Sequence, residues 1–377
     1  MPASTLLRVF AGPVLPVPLP PELTSRLRSV VVSERENDRS GFTLTFDAGR
    51  SGPGAALDTP VLQRAPITPF ARVSVVVTFG AVSRVLVDGI VTSVDFTPGA
   101  ETATTTLTVI GEDVSYLLDR EEVDTDHPGL DHYQQVHAIL ARYAVDGIAA
   151  DVVPPRTADP PLPVERVPTQ HGTDLAHLTA LARQHGYVAH VRPGPVPGTS
   201  TFYWGPVRPG APQRALTAGS GSEANVRSLR FRTDALSVVA VDGDLQEPRS
   251  GTRLPLAAAV STRPPLAARP LWAAHQGSIR RRRIRLSGVS PVAGLSRAQA
   301  EVDRGVDAVT AEGELDGARY GDVLRPRAVV GVRGAGWSHD GLWYVRRVDH
   351  ELGPGFYTQR FTLARDGYGS LAPAVRP

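Results

Sequence analysis

The 377-residue chain has no cysteine. Disulfide scaffolds, thiolate metal sites and cysteine nucleophiles are therefore excluded. Lysine is absent too, so all 40 basic residues are arginine; against 38 acidic residues the formal charge is +2. A balance so close to neutral gives no steering field for nucleic acid or an acidic substrate. The missing lysine, beside 36 glycines and 34 prolines, reads as the coding bias of a GC-rich genome. No run approaches the ~20 apolar residues of a membrane-spanning helix. Met1 to Phe10 lacks the basic start and apolar core of a signal peptide. The expectation is a protein that stays in the cytoplasm during assembly and makes no direct membrane insertion. The phosphate-loop, dinucleotide-fingerprint, zinc-protease and serine-elbow motifs are also missing, so no cofactor is expected.

Short β-type runs separated by Gly, Pro and Asp fill the first part of the chain. Phe42, Leu44 and Phe46 alternate with Thr43 and Thr45, and Val73, Val75 and Val77 alternate with Ser74, Val76 and Thr78. Leu27 to Ser33, Arg84 to Phe96 and Thr104 to Ile110 complete a series that fits a small barrel or sandwich. Asp88-Gly89 marks a tight turn or a bulge. Pro13 to Pro21 reads as an extended surface arm.

At Gly111 the period changes. Glu112 to Arg120 reads as a short helix entered through acidic residues. Asp131 caps a second helix with a Val136, Ile139, Leu140, Tyr143 stripe, closed near Gly147. A third starts at Thr173 or Asp174, carries Leu175, Leu178, Leu181 and Ala182, and stops at Gly186. Residues 151–168 are proline-rich and extended, with a strand at Val164 to Val167. Tyr187 to Val191 and Thr201 to Trp204 form a hairpin, and Asn225 to Phe231 and Leu236 to Asp242 are further strands. Residues 246–276 turn to Pro, Ala, Gly and Arg and read as a long surface loop or partly disordered insertion. A helix follows from Ser296 through Thr310, then strands from Gly321 to Arg333. Leu342 to Leu352 and Phe356 to Arg365, flanking Gly353-Pro354-Gly355, form a hairpin. In its second strand Tyr357, Phe361 and Leu363 share the buried face, and Thr358, Arg360 and Thr362 the wet one.

Candidates for chemistry are few. His171, His177 and His185 surround one helix without zinc-ligand spacing, so no metal site is expected. Asp113 and Asp119 are a possible carboxylate pair for glycoside chemistry, but six residues apart on a short helix they need not converge; capping suits Asp113 better. Arg280, Arg281, Arg282 and Arg283 form the one strong charge run. As a strand they point two to each face, with no aromatic to stack a base, which favours a solvated or subunit-interface strand over phosphate binding.

The order of these pieces resembles the phage late control D family, the VgrG-like N-terminal hub of contractile tails and injection systems. Three stretches carry the resemblance: Thr106 to Arg120, a strand leading into an acidic helix; Gly172 to Tyr187, a helix ending in a Gly-aromatic pair; and the terminal hairpin with Trp343-Tyr344-Val345, His350 and Leu363-Ala364-Arg365. The resemblance implies a mainly β fold with minor α (α+β): two tube-type β-barrel domains plus small helical peripheral domains. Residues 1–115 would form the first barrel, 116–220 a helical and small α+β domain, and 221–377 the second barrel with an insertion at about 246–314. The second barrel itself would use about 221–245 and 315–370.

The resemblance further implies a non-enzymatic baseplate hub, a homotrimer that joins a hexameric inner tube protein to a central spike and meets other baseplate proteins. Two barrels per subunit let threefold symmetry meet sixfold. The chain carries no spike β-helix after the hairpin, so a separate trimeric spike protein is expected. Thr358, Arg360 and Thr362, with Arg280 to Arg283, are then candidate lumen or subunit-interface residues, and nucleic acid enters only as lumen cargo. A tail-associated cell-wall hydrolase and a nucleic-acid-binding module using Arg280 to Arg283 are the alternatives.

Overall fold

Thirteen strands, from Thr5–Gly12 to Phe356–Arg365, join in one sheet. The computed structural model describes residues 5–371 apart from 37, 50–65, 100–103, 156–166, 209, 220, 222–223 and 248–249. The strand expected at Val164 to Val167 lies largely outside the described residues. The sheet runs from Val226–Thr233 through Val309–Asp316, Phe356–Arg365 and Gly341–Gly353 to Leu27–Arg35, then through Gly41–Asp47, Thr106–Asp113, Val82–Thr97, Arg72–Phe79 and Thr5–Gly12 to Val17–Pro18. Gly341–Gly353 also pairs Val329–Arg333, which pairs Gln213–Thr217 in parallel. The fold is mainly β with minor α, as the alternating runs require.

Two apolar clusters back this sheet. Phe42, Leu44, Phe46, Val73, Val75, Val77 and Val109 belong to one, and Trp343, Val345, Val348, Phe361 and Leu363 to the other. Gly341–Gly353 and Leu27–Arg35 join the halves in antiparallel register, Arg347 opposite Arg35 and Leu352 opposite Val30. In the hairpin Gly353 pairs Phe356, and Gly355 takes a φ of +83°, a conformation that glycine adopts without a steric cost.

The described residues between 114 and 205 build a smaller α+β layer. Asp131 caps His132–Ala141 in a capping box with Gln134, and Thr173 caps Asp174–His185, which ends at left-handed Gly186. Val136, Ile139, Leu178, Leu181, Phe202 and Trp204 are its core. All eight residues of Arg72–Phe79 are buried, so its alternation is lost, and the layer meets the outer side of the strand at Arg72 and Ser74. The tie is polar: buried Asp88 accepts from Arg72 at 2.6 Å, Ser74 at 2.8 Å and Ser200 at 2.8 Å.

Several sequence expectations change here. Asp88-Gly89 is neither turn nor bulge, because Val82–Thr97 runs straight through it; the register shifts lie at Leu86 and Thr92. Gly89 is required because a Cβ there would meet the Glu112 carbonyl oxygen at 2.2 Å. Glu112 and Asp113 end a strand, and the turn after them is a 3-10 helix, Val114–Asp119. The proline arm holds a two-residue strand and a helical turn, Pro21–Thr24, with Leu19 and Leu23 buried. The helix expected at Ser296 begins at Pro291 and ends at Gly305, because Ser290 caps it and proline suits its first turn. Of the strands expected from Gly321 to Arg333, only Val329–Arg333 forms, after a helical turn, Gly317–Tyr320.

The largest correction concerns residues 246–276. They are not one long loop: Arg253–Ala258 is a strand, and Leu271–Ala274 a helical turn. Leu254, Leu256 and Ala258 alternate with Arg253, Pro255 and Ala257, a period of two that the proline obscured. Pro255 is tolerated because the strand lies at an edge. It pairs Val239–Gln246, which pairs Arg280–Ser287 in parallel, and Pro291–Gly305 covers this three-stranded sheet through Val241, Ala258, Ala298 and Val302. Val239–Gln246, expected in the second barrel, thus lies outside the large sheet.

Candidate functional site

Residues paired across a sheet share a face, so a polar line can be followed from strand to strand. From Thr358, Arg360 and Thr362 the pairing leads to Asp316, Glu314 and Glu312 on one side and to Glu351, Asp349 and Arg347 on the other. It continues to Val31, Ser33 and Arg35, then to Thr43 and Thr45, Thr108 and Ile110, and Ser93 and Asp95. One polar face therefore crosses both halves of the chain without a break in the ladder. Behind it Val30, Val32, Leu44, Val109, Val348 and Phe361 are buried.

Charge on this face is arranged as a chain of pairs. Arg360 stands 3.3 Å from Glu314 and 3.3 Å from Glu351. Arg227 lies 3.3 Å from Glu314 and 2.8 Å from Asp316. The hydrogen bond to Asp316 raises the already high pKa of Arg227. Arg360 is exposed and Thr362 half-buried. Thr358 shares the face but is buried beneath Arg227, which donates to its Oγ1 at 3.4 Å. Alternation sets the face of a side chain; it does not register a long neighbour lying across it.

Arg280 to Arg283 lie elsewhere, on the edge strand of the three-stranded sheet, all exposed. Arg282 meets Glu301 at 2.8 Å and Arg283 meets Asp244 at 3.7 Å. The two candidate surfaces thus belong to different sheets.

The residues weighed for chemistry take structural partners. Asp113 caps the 3-10 helix, accepts from Ser40 N at 2.6 Å, and has its carboxyl pushed up by burial. Asp119 receives Arg39 and Thr173 instead; burial works against its charge, but these hydrogen bonds prevail and hold its pKa low. His171 meets Asp124 at 2.8 Å, His177 meets Gln135 at 3.2 Å, and His185 meets His132 at 2.8 Å. Among the described residues no three His, Asp or Glu gather as metal ligands. A cavity of about 40 Å³ lies beside His132, His185 and Arg297, with room for water. Among the described residues no helix is long and apolar enough to cross a membrane.

Sequence reasoning missed a buried polar cluster between the two halves. His350 bonds Tyr357 OH at 2.9 Å and Glu34 at 3.1 Å, and all three residues are buried. The available signal was position: His350 falls in the alternating line of Val348 and Leu352. Solvent does not reach it, which marks it as part of the core.

No family model matches the chain, and no curated protein matches it. Solved structures do. The 43 kDa tail protein of prophage MuSo2 from Shewanella oneidensis superposes with a TM-score of 0.65 at 15% identity, over 96% of this chain and 99% of its own. A tail protein from Neisseria meningitidis gives 0.63 at 13% identity, over 97% and 98%. An Escherichia coli component of the type VI secretion system, with structural similarity to T4 bacteriophage tail proteins, gives 0.53 at 13%, over 93% and 77%. The class defined is therefore one of fold: this chain has the fold of phage tail and type VI secretion proteins. The likeness extends over essentially its whole length.

Proposed function

We propose that the chain is a structural baseplate hub of a contractile phage tail or phage-derived contractile injection system, of the late control D and VgrG-like kind, without catalytic activity. The observation that carries this reading is the single polar sheet face spanning both halves, in a chain whose full length superposes on tail proteins. A face of Thr, Ser and internally paired charges, with Val31 and Ile110 as isolated apolar members, is wet without a contiguous apolar patch, which suits the wall of a channel.

In this reading three copies form a ring. Each contributes two tube-type barrels, within about 1–115 and 221–377, with 116–220 and the small sheet of Val239–Gln246, Arg253–Ala258 and Arg280–Ser287 at the periphery. One side of the ring meets the hexameric inner tube protein; the other receives a separate trimeric spike protein, with other baseplate proteins around it. Thr358, Arg360 and Thr362 face the lumen or a neighbouring subunit, where nucleic acid passes only as cargo. The hub is made in the cytoplasm and becomes part of the particle. Native mass measurement of the purified chain, alone and with the spike, tests this. A trimer that binds a trimeric spike is the expected result; a stable monomer that joins no spike overturns the reading.

A further inference from the structure

We propose that copies of this chain meet through two unlike edge strands, Arg280–Ser287 of one copy receiving the acidic strand Glu122–Asp126 of the next. This rests on the oligomeric hub reading and names a contact which that reading leaves open.

Arg280–Ser287 pairs on one side with Val239–Gln246, and among the described residues its other edge pairs with nothing. An open edge presents a row of backbone donors and acceptors ready for another strand. Its side chains divide by face. Arg281, Arg283 and Arg285 stand opposite Ala240, Asp242 and Asp244 on the outer face. Ile284 and Leu286 fall on the other face, against the small core beneath Pro291–Gly305. Arg281 and Arg285 make no ion pair among the described residues, and Arg283 reaches Asp244 only at 3.7 Å. The strand therefore offers cation along one face, and on the other Arg280 and Arg282 followed by the apolar Ile284 and Leu286.

The chain holds a strand of the complementary pattern. Glu122–Asp126 reads Glu-Val-Asp-Thr-Asp and is exposed throughout except for half-buried Val123. It pairs with Thr169–Thr173 on one side, and among the described residues its other edge is also open. Its three carboxylates recur every second residue on one face, with Val123 and Thr125 on the other. Set beside the arginine strand, that spacing brings carboxylate next to guanidinium and Val123 next to Ile284 or Leu286. The two strands lie in different sheets of one chain. A contact between unlike patches is head-to-tail, the kind that closes rings. Phosphate is the poorer occupant: Asp242, Asp244 and Glu301 stand beside the arginines, and the strand carries no aromatic residue.

The test compares solution mass for the parent, an Arg281→Glu/Arg283→Glu/Arg285→Glu variant, a Glu122→Arg/Asp124→Arg/Asp126→Arg variant, and a chain carrying both sets, each checked for fold by circular dichroism. Each single set is expected to raise the dissociation constant between copies at least about tenfold, and the double set to restore association. If both single sets keep the parent's mass, the strand contact is wrong while the oligomeric hub stands. If the parent alone is a monomer, the hub reading is decided by its mass with the spike, and a synthetic peptide of residues 121–126 decides the contact. Slowed amide exchange in Arg280–Ser287 on adding the peptide supports strand pairing; unchanged exchange overturns it. Salt-dependent retention of single-stranded DNA, lost in the arginine variant and without peptide protection, assigns the run to nucleic acid and also overturns it.

Discussion

His350 Nε2 lies 3.1 Å from Glu34 Oε1, although 316 positions separate the two residues. Strand pairing produces the contact: His350 stands opposite Val32 and Glu34 opposite Val348, diagonal neighbours on the inner face where the halves of the sheet meet. Burial, and then the nearness of Glu34, keeps the Tyr357 hydroxyl protonated far above its usual range, so it remains a donor. Glu34→Ala leaves the buried Nε2 of His350 without its partner, while the bond to Tyr357 stays, and is expected to cost about 1–3 kcal/mol. Tyr357→Phe, which removes one hydroxyl and little volume, is expected to cost about 1 kcal/mol. Urea unfolding at neutral pH measures both. A Glu34→Ala chain as stable as the parent would mean that apolar packing alone joins the halves.

Arg365 presents the opposite use of arginine to Arg360 in the same strand. Arg360 is exposed between two carboxylates, and Arg360→Ala is expected to change stability by less than about 1 kcal/mol. Arg365 is fully buried; it donates to the carbonyls of Gly367 at 2.9 Å, Asp340 at 3.0 Å and Ser338 at 2.6 Å, and stacks 4.4 Å from the Trp343 ring. Burial pushes its pKa down to about 10, so it stays charged at neutral pH. Arg365→Ala is expected to cost about 2–4 kcal/mol. Arg365→Lys should recover less than half, because an ammonium cannot reach three carbonyls as a planar fork does. Thermal unfolding of the three chains checks the order.

These two arginines show what could be read from residues alone. Alternation assigned Phe42, Leu44, Phe46, Tyr357, Phe361 and Leu363 to a buried face, and helix caps placed Thr173 and Gly186, because those signals are local. Partner choice is not local. Nothing in Leu27–Arg35 names Gly341–Gly353 as its neighbour, and although alternation sets Arg365 in phase with Phe361 and Leu363, opposite Arg360, nothing local shows that Trp343 and the Ser338 loop close over it. The candidate trio was legible as a face, whereas its continuation through Glu314, Asp349, Thr43 and Thr108 depends on register. Proline hid the Arg253–Ala258 strand because an edge position, itself a tertiary fact, is what makes proline harmless there.

The tie between the large sheet and the α+β layer rests on Asp88. Arg72 also donates to the Asp146 carbonyl at 2.6 Å, so one buried ion pair touches three segments. Asp88→Ala leaves a buried guanidinium without its carboxylate and is expected to cost about 3–5 kcal/mol. Ser200→Ala removes a single hydrogen bond and should cost about 1 kcal/mol. The location of the damage is also predicted. Amide exchange in Ser200–Gly205 should quicken more than in Gly41–Asp47, which lies in the large sheet with Asp88 but away from the tie. Equal loosening of both strands would show that Asp88 supports the sheet rather than the junction.

His190 sets an acid limit on that layer. It stands opposite Tyr203 in the hairpin, with ring centroids 5.3 Å apart, and is buried. Burial, reinforced by Arg327 and Arg192, lowers its pKa from 6.5 to about 2. Below the unfolded value the unfolded chain binds a proton that the folded chain refuses. The contribution of His190 is therefore complete above about pH 6.5 and is lost as pH falls toward the folded value, by up to about 1.4 kcal/mol per pH unit. His190→Phe keeps an aromatic ring against Tyr203 and removes the titration. Between about pH 7 and about pH 5 the parent is expected to lose about 2 kcal/mol more than this variant, read from urea midpoints at each pH. Parallel losses in the two chains would show that His190 takes up its proton in the folded state, and that the acid sensitivity of the layer has another source.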